Sequence, residues 1–337
     1  MIIMVIVAGL GLGLGLWLTG CGDKPSQPPK PEPEDYVFYL SDGFYSGPDC
    51  KYFRYRSYSK LVDTVYIPYG SLGGFAVSPD GSLLYLCDRT LTRVVNTDSL
   101  QLLAELPPGH ISVSPDNQYM AIAGADSIVI LRTEDYSAVY SDTFNLLNGR
   151  FSNNSEIYYG NGQHHLLTVK LTDPVQTIDK GMSGGGVYRF VPSPDDSQLY
   201  LYVMQSVYDF LFAVVDVATD SILFQTPITP GYGDIEITPD GKYVFYTSPG
   251  HVQIGPDPSP YLTVYSTEDN EIQSQISIVD FCLPRNLAVS PDGRKLVAAG
   301  ATGEQYFFVL DIPTLTITEL HELRYTTPAD VVCQNSL

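Results

Sequence analysis

The sequence predicts an all-β chain folded as a seven-bladed β-propeller, with four-stranded antiparallel blades and a closing blade shared between the two ends of the chain. Three observations predict it. A Ser-Pro-Asp-Gly turn recurs, starting at Ser78, Ser114, Ser193, Thr238 and Ser290, with a degraded copy at Ser152. The copies lie roughly 40 residues apart, a spacing that marks repeated supersecondary units. Between copies run short stretches rich in Val, Leu, Ile and Tyr, bounded by turn residues, four to an interval, as in one propeller blade.

The first 20 residues, MIIMVIVAGLGLGLGLWLTG, carry no charge and are almost wholly apolar. They read as the hydrophobic region of a secretion signal rather than as part of the fold. The competing reading is a single membrane-spanning helix. Four glycines and the abrupt ending Leu18-Thr19-Gly20-Cys21 favour cleavage. That ending resembles the bacterial lipobox, which implies cleavage before Cys21, acylation of Cys21 and anchoring to a membrane; several acyl chains together hold a protein stably. The cationic residue that usually precedes such a run is absent. Residues 21–35 follow, rich in Pro and charge and without a large apolar side chain, and read as an extended spacer. The propeller is expected over residues 36–337.

Within the repeat, the copy at Gly73 shows the pattern. GGFAVS ends at the turn, SLLYLCD follows as a second strand, TRVVNTDS as a third and LQLLAELP as a fourth. Pro sets φ at the second turn position, Asp can hydrogen-bond local backbone, and Gly accepts positive φ. The repeated Asp invites a metal-ligand reading, but turns on separate blades cannot converge on one ion, so the turn is scaffold. The ends set the blade count. Residues 35–68 supply strands of the later types with no inner strand before them. Residues 329–335 align with Gly74–Asp80 and supply the missing inner strand. Six internal copies plus this composite make seven blades, and closure removes exposed sheet edges.

The repeat as a whole, with Tyr243-Val244-Phe245-Tyr246 and Val214-Val215-Asp216-Val217-Ala218-Thr219 as its best copies, is similar to the YVTN-type repeat. The resemblance covers about residues 36–337 and implies a seven-bladed propeller. That group spans surface-layer proteins, lactonases of the phosphogluconolactonase kind and electron-transfer subunits, so the resemblance implies little about activity. The WD40 pairing of Gly-His with Trp-Asp does not occur, and the sole Trp is Trp17.

Composition excludes some functions. Net charge is −20 and only 18 residues are Lys or Arg, so no basic face is on offer for a phosphate backbone and nucleic-acid binding is not expected. Besides Cys21, the cysteines are Cys50, Cys87, Cys282 and Cys333, without a C-x-x-C pair, so neither a zinc site nor a redox motif is expected. Cys50 with Cys87 is the better candidate disulfide, and Cys333 is expected to be unpaired. The pair His164-His165 falls between strands, where neighbours point to opposite faces, which argues against joint metal ligation. No nucleophile elbow, phosphate loop or H-E-x-x-H occurs. The Gly-rich run 181–186 precedes a strand, not a helix. No cofactor is expected.

Candidate site residues come from the repeat geometry. The positions four before each turn serine are Gly74, His110, Asn148, Arg189, Asp234, Asn286 and Ala329, with Arg150, Glu236, Arg285 and Asp330 close by. These should converge on one mouth of the central channel as a small-ligand or ion site; the bland alternative is a polar, water-filled channel. Long loops are expected on the same face at residues 204–210 and 249–260. Two functions follow. One is a lipid-anchored envelope module that binds a protein or polysaccharide partner without catalysis. The other is a lactonase-like hydrolase or isomerase in which Arg150, Arg189, His110 and Glu236 act on a small ligand.

Overall fold

A computed structural model of the chain describes residues 35–42, 51–67, 74–88, 90–124, 126–144, 146, 148–162, 165–181, 185–206, 209–228, 233–248, 261–278, 284–300, 306–323 and 328–333. They fall in one compact unit, Asp35–Leu337. The stretch read as a signal, Cys21 and, Asp35 apart, the stretch read as a spacer lie outside the described residues, as do residues 249–260, expected as a loop.

Every regular element described is a strand, and the strands form seven four-stranded antiparallel sheets. Blade 1 contains β1 (Val37–Asp42), β2 (Lys51–Arg56) and β3 (Val62–Tyr66). Blade 2 is β4 (Gly74–Val77), β5 (Leu83–Cys87), β6 (Thr92–Asn96) and β7 (Leu102–Leu106). Blade 3 is β8 (His110–Val113), β9 (Tyr119–Ala123), β10 (Ile128–Arg132) and β11 (Ala138–Asp142). Blade 4 is β12 (Asn148–Phe151), β13 (Ile157–Asn161), β14 (His165–Lys170) and β15 (Gln176–Gly181). Blade 5 is β16 (Gly186–Pro192), β17 (Gln198–Ser206), β18 (Asp209–Asp216) and β19 (Ile222–Ile228). Blade 6 is β20 (Ile235–Ile237), β21 (Tyr243–Ser248), β22 (Tyr261–Ser266) and β23 (Glu271–Ser277). Blade 7 is β24 (Pro284–Val289), β25 (Lys295–Gly300), β26 (Tyr306–Asp311) and β27 (Thr316–Glu322). The last strand, β28 (Pro328–Cys333), pairs antiparallel with β1, so the expected composite blade forms: Tyr39 lies opposite Val332 and Leu40 opposite Val331.

Burial follows position in the blade. The second and third strands are covered on both faces and read as near-continuous apolar runs, as in β25 and β22. Outermost strands alternate, as in β27, because one face meets solvent. The core is seven separate clusters, one between each pair of adjacent blades. No blade can bury both faces alone, so the ring is the folding unit.

The repeated turn has one hydrogen-bond pattern. The Ser78 hydroxyl donates to Asp80 at 2.5 Å and accepts from the Leu83 amide at 2.9 Å. Ser114, Ser152, Ser193, Thr238 and Ser290 repeat both contacts with their own turns, Asn154 standing in for Asp after Ser152. The fourth turn position has positive φ in every copy, at Gly81, Asn117, Ser155, Asp196, Gly241 and Gly293. Gly is favoured there because it has no Cβ to clash.

Two expectations change. Residues 204–206 and 209–210 are strand, not loop: β17 runs to Ser206 and β18 starts at Asp209, with Met204 opposite Phe210. Cys87 is a free, buried thiol. Its sulfur accepts from the Gly109 amide at 3.2 Å and donates to the Asp88 carbonyl at 3.0 Å, so it is turned toward blade 3. Its proposed partner Cys50 lies outside the described residues, as do Cys282 and the Cys333 side chain.

Candidate functional site

The inner strands run down a central channel of about 690 Å³. His110, Asn148, Arg150, Arg189, Asp234, Glu236 and Asn286 all line it. Alternation along a strand explains the pairs: Asn148 and Arg150 share one face of β12, and Asp234 and Glu236 share one face at β20. Arg189 arrives differently. β16 carries a register shift between Val187 and Arg189, and such bulges re-aim the side chain that follows. The backbones of Arg285 and Asp330 lie in β24 and β28; their side chains are outside the described set. The channel also reaches the repeated turns, for Pro79, Pro115, Pro194, Pro239 and Pro291 line its other end. The turns are therefore one rim of the lumen as well as scaffold.

The charged groups at the mouth are paired across blades. One Arg150 nitrogen, from blade 4, meets both Glu236 oxygens from blade 6, at 3.1 and 2.9 Å. Arg189 from blade 5 lies 3.5 Å from Asp234 of blade 6. The other Asp234 oxygen accepts the Leu287 amide of blade 7 at 2.9 Å. The Asp234 amide donates to Thr247 Oγ1 at 2.9 Å. Asp234 thus ties three blades together at one buried carboxylate.

Burial raises the Glu236 carboxyl above the usual range; Arg150 opposes that rise and the Asp234 charge adds to it. His110 lines the lumen and keeps accessible surface there. Desolvation by the walls, then repulsion from Arg189 and Arg150, pushes its imidazole down to about 4. At neutral pH it is an uncharged ring beside two guanidiniums. Asn148 is buried, and its amide nitrogen has no hydrogen-bond partner among the described residues.

Sequence reasoning missed the groups that hold Arg189. The Tyr188 ring lies 4.8 Å from its guanidinium, and the Tyr188 carbonyl accepts from it at 3.3 Å. Asn161 of blade 4 donates to the Val187 and Tyr188 carbonyls at 2.7 and 3.0 Å, pinning the bulge. A Tyr next to an Arg carries no signal without that bulge. Chemically, the mouth offers two guanidiniums and two carboxylates that neutralise one another, a neutral imidazole and an unpartnered amide. That set suits hydrogen-bonded capture of a small polar group. Among the described residues no cluster of three or more His, Cys, Asp or Glu is placed to hold a metal.

No protein-family model matches the chain, and no curated protein matches it. Solved structures do. A candidate 6-phosphogluconolactonase from Bacteroides fragilis superposes with a TM-score of 0.69 at 14% identity, over 88% of this chain and 98% of that one. A protein from Lactobacillus plantarum gives 0.68 at 13% identity, over 89% and 99%. Hydrazine synthase from Kuenenia stuttgartiensis gives 0.66 at 15% identity, over 78% and 89%. At such identities the likeness is one of architecture, and what it establishes for this chain is the seven-bladed β-propeller.

Proposed function

We propose that this chain is a non-enzymatic binding propeller of a cell envelope. Residues 1–20 export it, Cys21 carries the lipid anchor, residues 21–35 hold it off the membrane, and the channel-mouth face engages a protein or polysaccharide partner. The observation that carries the reading is the pairing at the mouth. Among the described residues, both carboxylates at the mouth are engaged by a guanidinium, Glu236 by Arg150 and Asp234 by Arg189. His110, pushed down to about 4, is a weak base at neutral pH. The test immobilises the propeller and captures from envelope extract, with lactone hydrolysis measured in parallel. An enriched partner that competes at the mouth supports binding; turnover without any partner overturns it. For the anchor, a tagged fatty acid should label the wild-type chain, and Cys21→Ser should abolish the label.

The second reading is a lactonase-like hydrolase or isomerase at the same mouth. It is favoured by the raised Glu236 carboxyl beside Arg150 in one lumen. It requires lactone turnover that Glu236→Gln and Arg150→Lys each reduce by a hundredfold or so, the scale of a lost general base or charge stabiliser.

A further inference from the structure

The seven interblade clusters are not equally filled. Between blades 5 and 6 three rings close the outer part of the interface: Phe212, Phe224 and Tyr265. Their centroids stand 4.8 Å (Phe212–Tyr265), 5.4 Å (Phe224–Tyr265) and 6.3 Å (Phe212–Phe224) apart. The same three places between blades 4 and 5 hold Leu166, Ile178 and Val215. The equivalence rests on register. Thr168 lies opposite Tyr159 and Ile178, as Val214 lies opposite Tyr200 and Phe224. Val215 and Tyr265 stand equally far before the positive-φ residues Asp220 and Asn270.

Aliphatic side chains therefore stand here where the neighbouring interface has rings. A cleft of about 570 Å³ runs between β13–β15 and β17–β19. Its walls are Leu166, Leu199, Leu201, Leu211, Ala213 and Val215. It follows β18 from Leu211 to Val217, a length of about 20 Å at strand rise. Ile178 and Ile222 line it and are exposed, at 40% and 60%, where an apolar side chain gains nothing from water. Lys170, the last residue of β14, and Asp220, in the turn after β18, also line it. Lys170 is half-buried and makes no ion pair among the described residues, whereas Asp220 has a partner of its own.

We propose that this cleft binds a long-chain fatty acid, its acyl chain between blades 4 and 5 and its carboxylate at Lys170. The length and the apolar walls suit one extended hydrocarbon chain, and the unpaired cation in the lining suits a single anionic head. Polar side chains such as Thr168, Gln205 and Gln225 are a minority of its lining, so a sugar or nucleotide would find few partners there for its many polar groups. The cleft shares no lining residue with the central channel, so the proposal stands independently of the function read there.

The test is calorimetric titration of the full chain with palmitate, and with hexadecanol as the uncharged control. Palmitate should bind one to one, and hexadecanol more weakly. Leu166→Phe, Ile178→Phe and Val215→Tyr together copy the packing next door and should weaken palmitate at least tenfold, about the loss of one good contact set. If the triple variant fails to fold, Val215→Tyr alone should weaken it in the same direction. Lys170→Ala should weaken palmitate and leave hexadecanol unchanged. Absence of palmitate binding to the wild-type chain, or unchanged binding by a folded filled variant, overturns the site. Equal loss of both ligands in Lys170→Ala overturns the head-group assignment. Dimerisation that the filled variant abolishes gives the cleft to a second copy and overturns the fatty acid.

Discussion

At the scale of single residues, the turn serines carry more than their size suggests. Ser114 is fully buried, donates to Asp116 at 2.6 Å and accepts from the Tyr119 amide at 2.9 Å. Ser114→Ala strands both partners and should cost about 1–3 kcal/mol in denaturant unfolding. The same turns tie stability to pH. Burial alone would raise Asp80 and Asp240, but hydrogen bonds from the turn hydroxyl and backbone hold both below the usual carboxylate range. Asp195 is held down by the Ser193 and Ser197 hydroxyls. A depressed carboxylate stabilises the fold above its unfolded value and loses that effect as pH falls through the native one, so melting temperature should drop in acid below about pH 4. His110 adds an earlier slope. Its imidazole is lowered from 6.5 to about 4, so the unfolded chain binds the proton first and stability falls as pH drops through that window. His110→Gln should flatten the pH profile of melting there while leaving the acid limb below it. At the mouth, Arg150→Met leaves Glu236 buried without its guanidinium and should destabilise by about 1–3 kcal/mol, with Arg150→Met/Glu236→Leu recovering part of the loss in a double-mutant cycle.

At the scale of elements, the strands and their order were legible because the blade obeys two local rules. Turn chemistry marks where the inner strand ends, and short apolar runs mark the strands between. The inner strand at the far end of the chain was legible for the same reason: Val331 and Val332 occupy the places of Ala76 and Val77, and β28 pairs with β1. Truncation before Pro328 removes that strand and exposes β1 as an edge. The truncated chain should lose its cooperative thermal transition and aggregate, as read by light scattering against the full chain. Other elements were not legible. Residues 204–210 look like a loop by their polar and mixed character, yet cross-strand pairing of Met204 with Phe210 continues the sheet. The bulge that aims Arg189 has no sequence mark, since it depends on where Val187 and Arg189 find partners on β17.

At the scale of the whole molecule, the propeller is a ring of interfaces, and its chemistry lies where blades meet. Arg150 and Glu236 come from blades 4 and 6, and Asp234 joins blades 5, 6 and 7. The apolar cleft is likewise a property of two blades. The spacing of the turns, the composite closure and the convergence of His110, Asn148, Arg189, Asp234 and Asn286 on one lumen can all be read from the chain, because each is set by local turn and strand geometry repeated at a near-constant period. Which guanidinium meets which carboxylate, that His110 is held neutral, and that one interface lacks the three rings its neighbour has are decided by the closed ring. Those properties depend on distances and enclosure between residues far apart in sequence, and only folding brings such residues within range of one another.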